Sequence, residues 1–425
     1  MSEGEGIFSF MRGNILVMTV CDSLWRISTD IMWPFMSLYV LDLGGRYETI
    51  GQVMAVGNIA SMILFPLGGY IADYQGRIKI IGYMTFGYAA AFLIPALTNS
   101  WQWLAVGMFV QSFVSFYFPA MQALRADSIP PGKRGIGFAT TMAIPGAIGI
   151  ASPMIGGWLI ERFGMSRAIH GLYALGFFVG ILVALIRLRF LKETVEKSSD
   201  LDLSVSRVPG LLLESYRSIV DTLRNAPRQL LTFSLLISAS IFFVSMVGPF
   251  WIVRAKETLG ITTQDWGSLM LITGAINVLI SIPAGGLVDR LNKKWVVGVC
   301  LIAGAIPTLL FLRVTSFNQL LVLNVAATLT NVFLNPAFQA LFADMTPREQ
   351  RGRIMASLGA GGIWLMGGAW GSGILGMLSM STGTLISGYI YNYDSRLPWY
   401  ILSGVLIVMG VLFILLVKQP EKAEL

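Results

Sequence analysis

Asp22, Arg26 and Asp30 stand four residues apart in the stretch CDSLWRISTDIMWPF, Cys21 to Phe35. On a helix of 3.6 residues per turn this spacing puts all three on one face, with neighbours about 6 Å apart. Arg26 can pair with either carboxylate, and two carboxylates against one guanidinium leave a formal charge of minus one. The under-compensated carboxylate can then exchange a proton while the Arg-paired one stays ionised. If Arg26 changes partner, the three residues form a proton relay. Two other readings fit the same residues. One is a self-neutralising ladder that holds its helix against neighbouring helices; the other is a clamp in which the Arg26 fork grips the carboxylate or phosphate of an anionic substrate.

The element that positions these residues is an apolar run from about residue 15 to 41, long enough to cross a bilayer. Asp22 falls in its inner half, Arg26 near the centre and Asp30 in its outer half, at about 1.5 Å per residue. Charges at that depth cost about 2.5–3.5 kcal/mol each on the insertion scale, so their face must look into the protein or a wet cavity. The whole chain has this character: its 425 residues are 55% hydrophobic and 12% charged, with a mean hydropathy of +0.70. These values exclude an ordinary soluble domain. Twelve apolar runs recur, six before residue 191 and six after residue 229, and the fold class expected is an all-α membrane protein of two six-helix bundles. The divisions are 1–191 for the first bundle, 192–228 for a linker and 229–425 for the second.

The net charge of +7 does not point to nucleic acid. Most Lys and Arg residues fall on the linker side of the membrane, the positive-inside pattern, which predicts a multi-pass plasma-membrane protein with both termini cytoplasmic. The N-terminal MSEGEGIFSFMRGN is polar and short and shows no cleavable signal peptide. Cys21 and Cys300 lie far apart within spans and suggest neither disulfide nor metal site. The single His170 is expected at an interface. With no Ser/His pair or metal-ligand cluster, neither an enzyme nor a cofactor is expected.

The two halves repeat one another. FPAMQALRADSIPPGKRG at the end of the fourth span matches NPAFQALFADMTPREQRG at the end of the tenth, aligning Pro119 with Pro336, Asp127 with Asp344 and Arg134 with Arg351. PLGGYIADYQGRIK after the second span matches PAGGLVDRLNKKW after the eighth. Parallel repeats place a pathway along the axis between halves that can rock.

GGYIADYQGRIK resembles the signature loop of the major facilitator superfamily, with Gly69, Asp73, Gly76 and Arg77 at its marked positions. The second copy keeps Gly285, Asp289 and Arg290, with Lys293 at the Arg77 position. The resemblance covers the chain and implies that the first, fourth, seventh and tenth spans line a central cavity, which would put Asp22, Arg26 and Asp30 on the substrate path. It further implies a cytoplasmic latch of Asp73, Arg77, Asp127, Arg134, Asp289, Arg290, Asp344 and Arg351 that favours the state closed inside, weakened where Tyr74 replaces the usual basic residue. Two carboxylates eight residues apart on the first span are similar to those of some drug/proton antiporters of the superfamily, with Arg26 between them a departure. In the fourth span Met108 stands where proton-coupled exporters have an Arg. In the fifth, Pro153, Gly156 and Gly157 keep most of the Gly- and Pro-rich antiporter motif, a feature that close helix packing alone would also explain.

These features predict a secondary transporter that moves a small amphipathic or cationic molecule by alternating access, driven by the proton gradient, as a monomeric efflux antiporter. One alternative is a proton symporter or facilitator for an organic anion held by Arg26; another is a membrane sensor or assembly protein on the same scaffold. The candidate substrate-binding residues are Arg26, Asp30, Gln111, Phe243, Met246, Asn331 and Trp364. No ionisable group of comparable depth is expected in the fourth, seventh, eighth, tenth or eleventh spans. LLLESYRSIVDTLRN in the linker spaces apolar residues helically, as a helix lying on the membrane surface would. The eleventh span, residues 354 to 391, is too long for one crossing, and its GAGGIWLMGGAWGSGILG should break it.

Overall fold

The computed structural model describes residues 11–130, 134–194, 208–346, 354, 357–358, 362–366, 368–370 and 373–418; side chains at 65–75, 134–135, 368–370 and a few linker-helix positions lie outside the description. Among the described residues, nine helical segments are long and apolar enough to cross a membrane. They are the third span Arg77–Ala96, the fourth Trp101–Ser128, the fifth Ile136–Phe163, the sixth Met165–Phe190, the seventh Arg228–Leu259, the eighth Thr263–Val288, the ninth Lys293–Arg313, the tenth Phe317–Asp344 and the twelfth Leu397–Leu416. The first span (Asn14–Asp30, then Met36–Asp42), the second (Tyr47–Gln75) and the eleventh (Ile374–Tyr393) complete twelve.

Helix ends follow local chemistry. The first span stops at Asp30 because Pro34 has no N–H to give the Asp30 carbonyl; a short turn, Trp33–Phe35, precedes its second segment. That break leaves Asp30 on the last turn of the first segment. The second and third spans are divided by Gly76 at φ +87°, a conformation that a side chain would strain, which is why the signature loop holds a Gly there. Thr262 and Asp265 cap the eighth span reciprocally, with hydrogen bonds of 3.0 and 2.9 Å.

The linker helix, Val208–Asn225, packs against the second span. Pro66 cannot donate to the Met62 carbonyl, and the Tyr216 hydroxyl supplies the missing bond at 2.8 Å. Burial raises the Tyr216 phenol above its usual pKa, so it keeps the proton it donates. Tyr216→Phe is expected to loosen the linker helix by about 1 kcal/mol, read as faster amide hydrogen exchange over 208–225. Unchanged exchange would show that the helix docks without this bond.

The eleventh region departs from one long helix. Gly362–Trp364 (β1) and Gly368–Trp370 (β2) pair antiparallel before the helix begins at Ile374. Backbone of this kind is tolerated at membrane depth only when its polar groups find partners inside the protein. Asn335 of the tenth span accepts from the Ile363 N–H at 3.2 Å and donates to its carbonyl at 3.0 Å, while Asn331 accepts from the Leu365 N–H at 3.2 Å. The equivalent positions of the first half are Val114 and Phe118. The amides occur only in the copy that has a hairpin to hold.

Candidate functional site

Asp22 does not share Arg26. Its carboxylate is ion-paired to Arg125 of the fourth span and accepts from Arg187 Nη2 of the sixth span at 3.3 Å. The other Arg187 amino group donates to Thr85 at 2.8 Å, and the guanidinium lies 5.8 Å from the centre of the Tyr117 ring. Arg125 and Arg187 are buried, with side chains 5% and 2% exposed. Arg26, 54% exposed, turns to Asp30, with Nη1 3.0 Å from Oδ2. Gly149 of the fifth span faces this second pair, where a methyl group would stand 3.2 Å from the Asp30 carboxylate.

The expected stripe of three is therefore two separate pairings. Three guanidiniums and two carboxylates carry a formal charge of plus one, where the sequence reading expected minus one and no ionisable group in the fourth span at this depth. The repeat held a signal for Arg125: its symmetric position is Phe342, fully packed in the second half. An Arg that replaces a core Phe between otherwise matching copies marks a place where the halves differ in task.

A cavity of about 230 Å³ opens beside these groups, lined by Asp22, Trp25, Arg26, Thr29 and Asp30 of the first span, Phe118, Met121, Gln122 and Arg125 of the fourth, and Thr141, Met142 and Pro145 of the fifth. Arg26 and Asp30 thus lie where a substrate could reach them. The other expected binding residues do not line it. Gln111 is buried, and its amide nitrogen has no partner among the described residues. Met246 is buried in the core of the second half, and Phe243 packs against that core and edge-on against Phe242, centroids 5.0 Å apart. Asn331 is occupied with the hairpin, and Trp364 on β1 is exposed. The space at the hairpin, about 10 Å³ between Ile237, Phe338 and Ile363, is too small for an organic ligand.

Among the expected latch residues, Arg77 is ion-paired with Asp127 and donates to Thr194 at 3.2 Å, and Lys293 lies 2.6 Å from Asp344. The two repeated motifs thus meet each other twice, once in each half, and each of these bonds lies within a half. Asp73 and Arg134 have side chains outside the described residues, the Gly69 surroundings are likewise undescribed, and Arg351 is undescribed altogether. Asp289 and Arg290 end the eighth span.

The halves join at the opposite end from the linker. Tyr47 and Tyr391 both donate to Glu257, at 2.7 and 2.6 Å. Asn392 donates to Glu48 at 2.6 Å, and Thr263 to the Gly157 carbonyl at 2.9 Å. Glycines let the backbones touch: a Cβ on Gly388 would meet the Tyr47 carbonyl oxygen at 2.2 Å, and one on Gly157 the Thr263 oxygen at 2.2 Å. The expected preference for closure at the linker end is not the arrangement of the described residues, whose hydrogen bonds between halves lie at the far end.

The sequence profile of the Major Facilitator Superfamily matches residues 24–255 and 233–425. The chain belongs to that superfamily. It is 25% identical over 408 residues to the "Multi-drug resistance efflux pump PmrA homolog" of Lactococcus lactis, covering 91% of this chain and 90% of the relative. It is 26% identical over 391 residues to "Multidrug resistance protein MdtG" of Salmonella typhimurium, covering 86% and 91%. A peptide transporter POT solved in complex with sulfate superposes with a TM-score of 0.72 at 14% identity, covering 96% of this chain and 95% of that one. The nucleoside transporter NupG superposes with a TM-score of 0.65 at 16% identity, covering 95% and 100%. The latter two share the fold, a major facilitator architecture of twelve transmembrane helices in two pseudo-symmetric bundles. As a superfamily member the protein is a multi-pass membrane transporter.

Proposed function

We propose that this transporter exports a small amphipathic organic molecule across the plasma membrane by alternating access, coupled to protons, as a monomer. The observation that carries the reading is the cavity itself: an ionisable first-span face opens into a space whose other walls mix Phe118, Met121 and Met142 with Gln122, Arg125 and Thr141, inside a chain whose relatives are named as a multidrug efflux pump and a multidrug resistance protein. Ionisable groups within a membrane mark substrate or proton routes by default. With the linker and both termini in the cytoplasm, as the Lys and Arg distribution predicts, the Tyr47–Glu257–Tyr391 contact is an outer gate and the cavity faces inward. Asp30, on the exposed pairing beside the cavity, is the residue placed to trade a proton as the halves rock; Asp22 is held by two guanidiniums.

The test is flux in proteoliposomes under an imposed pH gradient, comparing the parent with Asp30→Asn, Arg26→Gln and Asp22→Asn. Asp30→Asn is expected to uncouple flux from the gradient while leaving downhill exchange. Proton-driven flux retained by all three variants would make these residues structural and sink the coupling proposal.

A further inference from the structure

We infer that the polar end of the transported molecule is an anion, a carboxylate, phosphonate or sulfonate, seated between Arg26 and Arg125 with its apolar body against Trp25, Phe118, Met121 and Met142. This deepens the transporter reading above and rests on it. The first argument is that both carboxylates already have cationic partners. Each oxygen of the Asp22 carboxylate already accepts from an Arg, Oδ2 from Arg125 and Oδ1 from Arg187. Asp30 Oδ2 accepts from Arg26, and the Thr29 hydroxyl beside Oδ1 spends its proton on the Trp25 carbonyl at 3.0 Å. Both carboxylates thus already have guanidinium partners, and a cationic substrate would have to enter beside three guanidiniums.

Guanidinium donors also remain. Arg26 spends only Nη1 on Asp30, and among the described residues its Nη2 and Nε have no partner. Arg125, 4% exposed, gives Nη2 to Asp22 and a long 3.4 Å contact to Gln122, and among the described residues its buried Nε is without a partner. A guanidinium fork presents these N–H groups in the geometry that carboxylate and phosphate oxygens match. The charge argues the same way. The group of five carries plus one, and the described acidic residues of the second half, Glu257, Asp265, Asp289, Asp344 and Asp394, all sit at or near helix ends, away from the cavity lining. An anion therefore neutralises the site, whereas a cation would take it to plus two. The four apolar side chains on the same wall select for a hydrocarbon body attached to the anion.

The experiment uses the full-length protein in detergent and in proteoliposomes with a matched pair of probes, 2-naphthoate and 2-naphthylmethylammonium. The expected result is that millimolar 2-naphthoate raises the melting temperature and is carried, and that the ammonium does neither. Arg26→Gln, at an exposed position and checked for an unchanged melting temperature without ligand, is expected to weaken 2-naphthoate binding about tenfold or more, the scale of a lost charge-assisted bond. Adding phosphatidylglycerol separates two sources of the same chemistry: a naphthoate shift it abolishes assigns a lipid headgroup, and one that persists assigns a free organic acid. Transport of the ammonium alone would overturn the anion while leaving the exporter standing. Binding of neither probe, or naphthoate binding unaltered in Arg26→Gln, would overturn the anion site directly.

Discussion

Asp22→Asn is expected to destabilise the purified protein by about 3–5 kcal/mol, more than any other single change around the cavity. The carboxylate is the shared counter-ion of two guanidiniums that are 5% and 2% exposed, and removing one member of a buried ionic group leaves the remaining charges without compensation. An amide keeps one acceptor but no charge. Asp30→Asn breaks a pair whose members are 31% and 54% exposed, so solvent takes over most of the lost interaction, and about 1 kcal/mol or less is expected. Denaturation of both variants in the same micelle gives the comparison. Equal, small losses would mean that Asp22 is not the counter-ion that holds the first, fourth and sixth spans together. The contrast also guides the transport assays, because lost flux in Asp22→Asn speaks to function only once its folding has been checked, whereas Asp30→Asn speaks to it directly.

Gly388→Ala is expected to shift the protein away from the state described here. The added methyl would meet the Tyr47 carbonyl oxygen at 2.2 Å and the Glu48 Cα at 2.5 Å, both backbone atoms that no rotamer change can move. Overpacking of this kind costs about 1–3 kcal/mol. Because the contact crosses between halves only when the far end is sealed, that cost falls on one conformation, and the ratio of states moves by about 5- to 150-fold. Spin labels on the loops after the first and eleventh spans read the change as longer distances across the far end. An unchanged distance distribution would show that the second and eleventh spans give way locally and that this crossing does not control the gate.

Most of the architecture was readable from the chain because the signals were local or repeated. Apolar length identified the spans, and the duplicated Asp127 and Asp344 stretches identified two related halves. The pairing Arg77–Asp127 and its copy Lys293–Asp344 was implicit in two motifs that repeat together. The site was less legible. The i, i+4 spacing shows which residues share a helix face, but it offered Arg26 equally to Asp22 and Asp30, and the choice was made by Arg125 and Arg187 arriving from helices 103 and 165 residues away. Arg187 stands three residues from the end of its helix, where a charge reads as an interfacial anchor until packing shows it buried. The eleventh region shows the same limit: excess length and glycines announced a break, yet the strand pair depends on the amides of another span.

Those amides also set an order of events during biogenesis. Among the described residues, the N–H groups of Ile363 and Leu365 find their acceptors on Asn335 and Asn331, which belong to the preceding span. Until the tenth span is in the bilayer, the segment after it has no dry place for its backbone. The eleventh crossing therefore cannot be delivered to lipid as an independent helix over its whole apolar length. The expected consequence is that the tenth and eleventh spans enter the membrane as one unit.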